Sequence, residues 1–255
     1  MTAMARAFTA EMMKLKRTLA FWMVPVAPAS ICFLNFIMYM QRTDLLTEYN
    51  RTVWLRLGQN IFIFWTALML PLYIALETAL IAGADHNGRH WKQLFAQPVP
   101  RWAFYLSKFL SGALVAALGS LLLIATLLLT GELFRVLRPG IGFEMAFPWQ
   151  IILRFAGRQY VACLLMLAIH TWVANRWDSF YLAVGVGVIA EVVNIVAINS
   201  ETWNRIFPWI LPATAMFGLS GSADFAGSGI LWLSVLGGLI VLLVGSIDFV
   251  HRDVL

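Results

Sequence analysis

Residues 83–105 read GADHNGRHWKQLFAQPVPRWAFY, a polar break in a chain that otherwise looks like lipid. The break opens with turn and charge chemistry at Gly83–Arg89, passes into a short amphipathic stretch, and stops at Pro98–Val99–Pro100. Apolar runs flank it on both sides. Short plain loops are the usual way to join membrane helices, so a basic, partly helical insert here reads as a surface that another protein grips.

The rest of the 255 residues explains the flanks. Hydrophobic residues make up 61% and charged ones 12%, about half the roughly 25% of a soluble domain. Six apolar runs emerge, at about 19–40, 60–82, 106–130, 151–174, 179–200 and 230–248. Each approaches the ~20 residues that cross a ~30 Å hydrocarbon core. The expected fold is an all-α integral membrane protein, one domain over 1–255, with the chain's ends on one side. A cleavable leader is not expected, because the apolar run continues past Ala27–Pro28–Ala29 to Met40.

Counting bases assigns the sides. Ten (Arg6, Lys14, Lys16, Arg17, Arg89, Lys92, Arg101, Lys108, Arg176 and Arg252) share the side of the termini and the 83–105 insert, against six on the other: Arg42, Arg51, Arg56, Arg135, Arg138 and Arg205. The positive-inside rule then puts both termini and the insert in the cytoplasm. The net charge of +5 is thereby explained by topology, without nucleic acid. Cys32 and Cys163 fall inside apolar runs and read as small buried hydrophobes. Trp22, Trp54, Trp102, Trp149, Trp177, Trp203 and Trp209 stand near run ends, as interfacial anchors do.

Three segments outside the spans have character of their own. In residues 5–18, Phe8, Met12, Leu15 and Leu19 recur at helical spacing with Arg6, Lys14, Lys16 and Arg17 mostly elsewhere. This predicts an amphipathic helix lying in the cytoplasmic interface. Pro25 and Pro28 predict a kink or local opening in the first span. Residues 201–229 are too apolar for a plain loop and too broken to span, which fits short half-helices whose backbone is covered by protein.

Enzymatic motifs fail one by one. Gly83–His90 has the glycine spacing of a phosphate loop, but Arg89 and His90 replace the required Lys and Ser/Thr. His86 and His90 stand at i, i+4, yet Gly88 lies between them and only Asp85 accompanies them, so a solvated turn is expected rather than a metal site. No nucleophile with a His and acid partner assembles. The expectation is no catalytic residue, no metal and no cofactor in this chain.

Ionisable groups inside spans carry more weight, since a lone charge in lipid is costly. Arg158 (with Arg154) and Glu191 (with Asn194) lie in the fourth and fifth runs, which a tight turn at Asn175–Asp178 makes antiparallel neighbours. Their depths from the outer ends are about 10 and 14 Å. These depths predict an Arg158–Glu191 ion pair that either locks two helices or lines a polar cavity. More weakly, Glu77 is expected to meet His170.

Several motifs resemble those of permease subunits of type-2 ABC exporters. They are Asp85-His86-Asn87-Gly88, Trp91-Lys92-Gln93-Leu94, Gln97-Pro98-Val99-Pro100-Arg101, Tyr105 with Ser107-Lys108, Glu11-x-x-Lys14-Leu15-Lys16-Arg17, and Phe207-Pro208-Trp209-Ile210-Leu211-Pro212. The chain looks most similar to the small permeases of lantibiotic-immunity and peptide-export systems. Asp85 stands where a Glu is more common.

The resemblance implies that residues 89–100 form a coupling helix in a groove of a separate ATPase subunit, which would hold the ATP and Mg. Trp91, Leu94 and Phe95 would pack there, with Arg89, Lys92 and Arg101 giving charge complementarity and Pro98 closing the docking element. It further implies a second permease copy, identical or homologous, re-entrant helices in 201–229, and export of an amphiphilic substrate from the inner membrane. Two alternatives are a gradient-driven secondary transporter, which the lack of an internal repeat disfavours, and a non-transporting membrane scaffold.

Overall fold

The computed structural model describes residues 3–16, 18–47, 52–86, 99–197, 200, 202–217 and 224–251. Its elements are α1 Ala3–Leu15, α2 Leu19–Gln41, α3 Asp44–Thr47, α4 Val53–Phe64, a π-helical turn Trp65–Met69, α5 Leu70–His86, α6 Arg101–Leu137, α7 Trp149–Arg176, α8 Phe180–Ala197, a 3-10 turn Trp203–Arg205, α9 Leu211–Phe217 and α10 Asp224–His251. No strand occurs among the described residues. Six stretches are long and apolar enough to cross a membrane: Leu19–Gln41, Val53–Asp85, Arg101–Leu137, Trp149–Arg176, Phe180–Ala197 and Gly229–His251.

The helices outrun the apolar windows that announce them. α6 has 37 residues, about 55 Å at 1.5 Å per residue. Its start is set by Pro100, whose ring fixes φ and whose carbonyl accepts the Ala103 N–H at 2.9 Å. α2 continues as one helix through Pro25 and Pro28 rather than opening there.

The second span is less regular. Pro71 has no N–H to give the carbonyl of Ala67 and its ring crowds that carbonyl. The chain responds with the π turn at Trp65–Met69, where the Leu70 N–H reaches back to Trp65 O. Pro71 within an apolar run was the available signal for this break.

α7 is the hub. It packs most extensively on α10 and also against α5, α6 and α9, while α6 carries α2 and α1, and α8 leans mainly on α5. One end of the bundle gathers α1, the end of α5, the start of α6 and the ends of α7 and α10; this is the Lys108 end. The opposite end is closed by Trp54, whose Nε1 donates to Phe143 O (3.2 Å) and Met145 O (3.0 Å). Trp54 is fully buried and Trp209 nearly so, whereas Trp22, Trp102, Trp149, Trp177 and Trp203 are exposed. Two of the seven expected interfacial anchors are therefore core residues.

Outward faces are apolar: Phe21, Trp22, Val26 and Phe33 on α2, Ile189, Val192 and Val196 on α8, and Leu236, Leu239, Ile240, Leu243 and Ile247 on α10. An apolar exterior on six such helices is that of a multi-pass membrane protein. Cys32 and Cys163 are free and buried.

Gly131 permits the close approach of α4 to α6. A Cβ there would lie 2.1 Å from the Trp54 ring. Gly131→Ala is expected to cost about 1–3 kcal/mol through overpacking, read as a lowered Tm in detergent; an unchanged Tm would show that Trp54 has room to move.

Candidate functional site

The polar insert itself lies largely outside the described residues. Its two roots do not, and they are held by a buried ring of four charges. α1 contributes Glu11 and Lys14, one turn apart. The last turn of α5 contributes Asp85, and the second turn of α6 contributes Lys108.

Lys14 Nζ donates to Glu11 Oε1 at 2.8 Å and to Asp85 Oδ1 at 2.7 Å. Lys108 Nζ pairs with Asp85 Oδ2 and lies 3.5 Å from Glu11 Oε1. It also points at the Ile81 carbonyl, 3.5 Å away. Each ammonium thus faces both carboxylates, and the formal charge of the ring is zero.

Glu11, Asp85 and Lys108 are each no more than 2% exposed, and Lys14 is 30% exposed. Burial alone would lower the Lys14 pKa, but the facing Glu11 and Asp85 carboxylates outweigh it and leave the pKa above its ordinary 10.5.

The local sequence explains how the ring assembles. The face α1 turns inward is Ala7, Glu11 and Leu15, at i, i+4, i+8. Ala7 is small enough to let α1 lie close on α6, in the cluster that holds Phe104 and Tyr105. Of the expected apolar stripe, Leu15 is buried and Phe8 and Met12 are half-buried, whereas Leu19 already belongs to α2 and is exposed. Glu11 enters the protein because two lysines meet it.

Residues 7–194 match the family model described as ABC-2 family transporter protein. The chain belongs to that family. The match takes in all four ring residues and the whole insert. No curated relative matches the chain. An ABC-2 permease is a membrane transport component and does no catalysis of its own, and the family generally partners with an ATPase subunit.

Of the docking residues expected in this ABC-2 permease, Arg89, Trp91, Lys92, Leu94, Phe95 and Pro98 lie outside the described residues, as does His90 of the i, i+4 pair. Arg101 is the first residue of α6, and its Nη1 donates to Val250 O at 3.1 Å, tying α6 to the end of α10. Among the described residues, no group of three His, Cys, Asp or Glu side chains is placed to hold a metal.

The Arg158–Glu191 pair is not formed. Arg158 Nε donates instead to Ala215 O on α9, at 2.9 Å. Glu191 Oε2 accepts from Asn194 Nδ2 at 3.3 Å, and Asn194 also points at Ala67 O, 3.4 Å away. The depth argument leaves out azimuth. Arg158, Ala162 and Leu165 share the face of α7 that packs on Leu211 and Ala215, while α8 turns Ala183, Gly187, Ala190, Glu191 and Asn194 inward and packs chiefly on α5. Glu191 and Asn194 thus serve the π turn, whose Ala67 carbonyl Pro71 leaves without its helical donor.

The Glu77–His170 contact is absent too. His170 Nε2 accepts the Trp209 indole N–H at 3.1 Å, and both oxygens of the buried Glu77 carboxyl lack a hydrogen-bond partner.

The ring missed by sequence reasoning had visible parts: Glu11-x-x-Lys14, the acid at 85, and a lysine seven residues into a span. What linked them was the packing of α1. Removing one member strands a buried charge, so Asp85→Asn is expected to cost about 3–5 kcal/mol. Combined with Lys108→Met, the loss should fall short of the sum of the two single losses. Thermal unfolding measures both, and strict additivity would mean that the pair is not coupled.

The raised Lys14 pKa makes its contribution fully present below the unfolded value and lost as pH rises through the folded one. Wild-type Tm should therefore fall above about pH 10.5, and Lys14→Met should remove part of that fall.

Proposed function

We propose that this ABC-2 permease is the membrane half of an ATP-driven exporter, and that the charge ring carries the motion of a cytoplasmic ATPase subunit into the spans. In this reading residues 89–100 are the coupling helix. Trp91, Leu94 and Phe95 anchor it in a groove of the ATPase, Arg89, Lys92 and Arg101 complement that groove's charge, and Pro98 ends the element. α1 lies in the cytoplasmic interface beside it. Both termini face the cytoplasm, and two permease copies, identical or homologous, meet two ATPases. The cargo is an amphiphile leaving the inner membrane.

One observation carries this reading: the residues on either side of 89–100, Asp85 before it and Lys108 after it, are paired with each other and with α1. A docking element attached by two independent loops would swing. One rooted in a single buried ring transmits displacement to α5, α6 and α1 together.

The α9 segment supports the re-entrant reading of 201–229. Trp209, Ile210, Leu211, Ala215 and Met216 are buried, and Arg158 satisfies the Ala215 carbonyl. Those are the conditions under which broken helix is tolerated at membrane depth.

The test is co-purification of the full chain from its native membrane with a cytoplasmic ABC ATPase subunit, identified by its ATP hydrolysis. Trp91→Ala with Leu94→Ala should reduce ATPase retention at least tenfold, about 1.4 kcal/mol or more, while Tm changes little. Retention equal to wild type, or a wild-type permease that holds no ATPase and still transports, would overturn the reading.

A further inference from the structure

At the end of the bundle opposite the charge ring, α7 carries a ladder of polar residues within a candidate span. Gln150, Arg154 and Arg158 stand at i, i+4, i+8, so they share one face, about 6 Å apart along the axis. Gln150, Arg154 and Gly157 are exposed, and Arg158 is half-buried. Arg154 has no hydrogen bond or ion pair among the described residues. Arg158 spends only its Nε, on Ala215 O, which leaves both Nη atoms of its fork unused.

Among the described residues, the acids nearest this end of the bundle are engaged elsewhere. Glu132 pairs with Arg135 (2.7 Å) and Asp44 with Arg42 (3.0 Å). Glu144 takes the N–H groups of Gly140 (2.8 Å) and Gly142 (3.1 Å), and Glu191 accepts from Asn194.

We infer that Arg154 and Arg158 form a binding site for the phosphate head group of an anionic amphiphile. Arg154 and Arg158 lie five and nine residues from Trp149, about 8 and 14 Å along α7. An unpaired charge within a span is costly, and phosphate is the anion a bilayer offers at its edge. The planar guanidinium fork matches phosphate oxygens two at a time.

Gly157, one turn on from Arg154, leaves open space beside the two arginines, since nothing lies within 4 Å of where its Cβ would be. The exposed Trp149 ring, at the helix start, suits the head-group level. Arg158 also grips α9, so an occupied site would touch that segment through its Nε bond.

This inference is independent of the ATPase reading, and its test needs no ATPase. The full chain, purified in detergent, is titrated with dioctanoyl phosphatidylglycerol, and the lipid-bound fraction is read by native mass spectrometry. Arg154→Gln should weaken binding about five- to tenfold, and Arg154→Lys, which keeps charge but loses the fork, should fall between. Gly157→Leu should weaken it with both charges intact. Arg135→Gln, an exposed arginine outside the ladder, should bind as wild type.

Equal binding by wild type and Arg154→Gln would overturn the site. Displacement of the lipid by an equal concentration of glycerol phosphate would overturn its assignment to an amphiphile and give the site to a soluble phosphate instead.

Discussion

Everything at the Lys108 end depends on a constraint of charge burial. Two carboxylates and two ammoniums are withdrawn from water at the junction of α1, α5 and α6. A ring of this kind adds little net stability, because desolvation consumes most of the Coulomb gain. It acts on uniqueness instead. Sliding α1 by one turn would leave Lys108 and Asp85 facing apolar surface, an arrangement far costlier than the native one. α1 is therefore held in a single register on α6, and residues 85 and 108 are held in a single relation to each other.

Two of the remaining polar groups at depth follow a different rule, each supplying a donor to a carbonyl of irregular backbone. Pro71 deprives Ala67 O of its donor, and Asn194 points at that oxygen. The short helix α9 shows a carbonyl at Ala215, and Arg158 takes it. Trp209, at the start of that segment, finds its acceptor in His170. Irregular backbone and intramembrane polar side chains thus occur together because each makes the other affordable.

The architecture was legible where a signal is additive along the chain. Six apolar runs gave six candidate spans. It was not legible where the answer depended on azimuth or on a third element. Arg158 and Glu191 have matching depths but face α9 and α5 respectively, and no count of residues from a helix end distinguishes those directions. Trp54 looked like an anchor by its position at a run end, although Gly131, 77 residues later, makes the hole it fills. The charge ring was visible as separate fragments, Lys108 counted for topology and Asp85 for a turn, and only the docking of α1 joined them.

The π turn has a consequence for how the second span addresses its neighbours. One additional residue in a helical turn advances the phase of everything beyond it by about 100°. The stretch before the turn points Trp54, Leu57 and Ile61 into the core, with Trp54 against the connection between α6 and α7. The stretch after it supports α8, with Ala75 against Gly187. A single wheel drawn through 53–85 would smear these two faces into one blurred surface. The chain instead uses one crossing of the membrane as two differently aimed half-spans, joined at a proline.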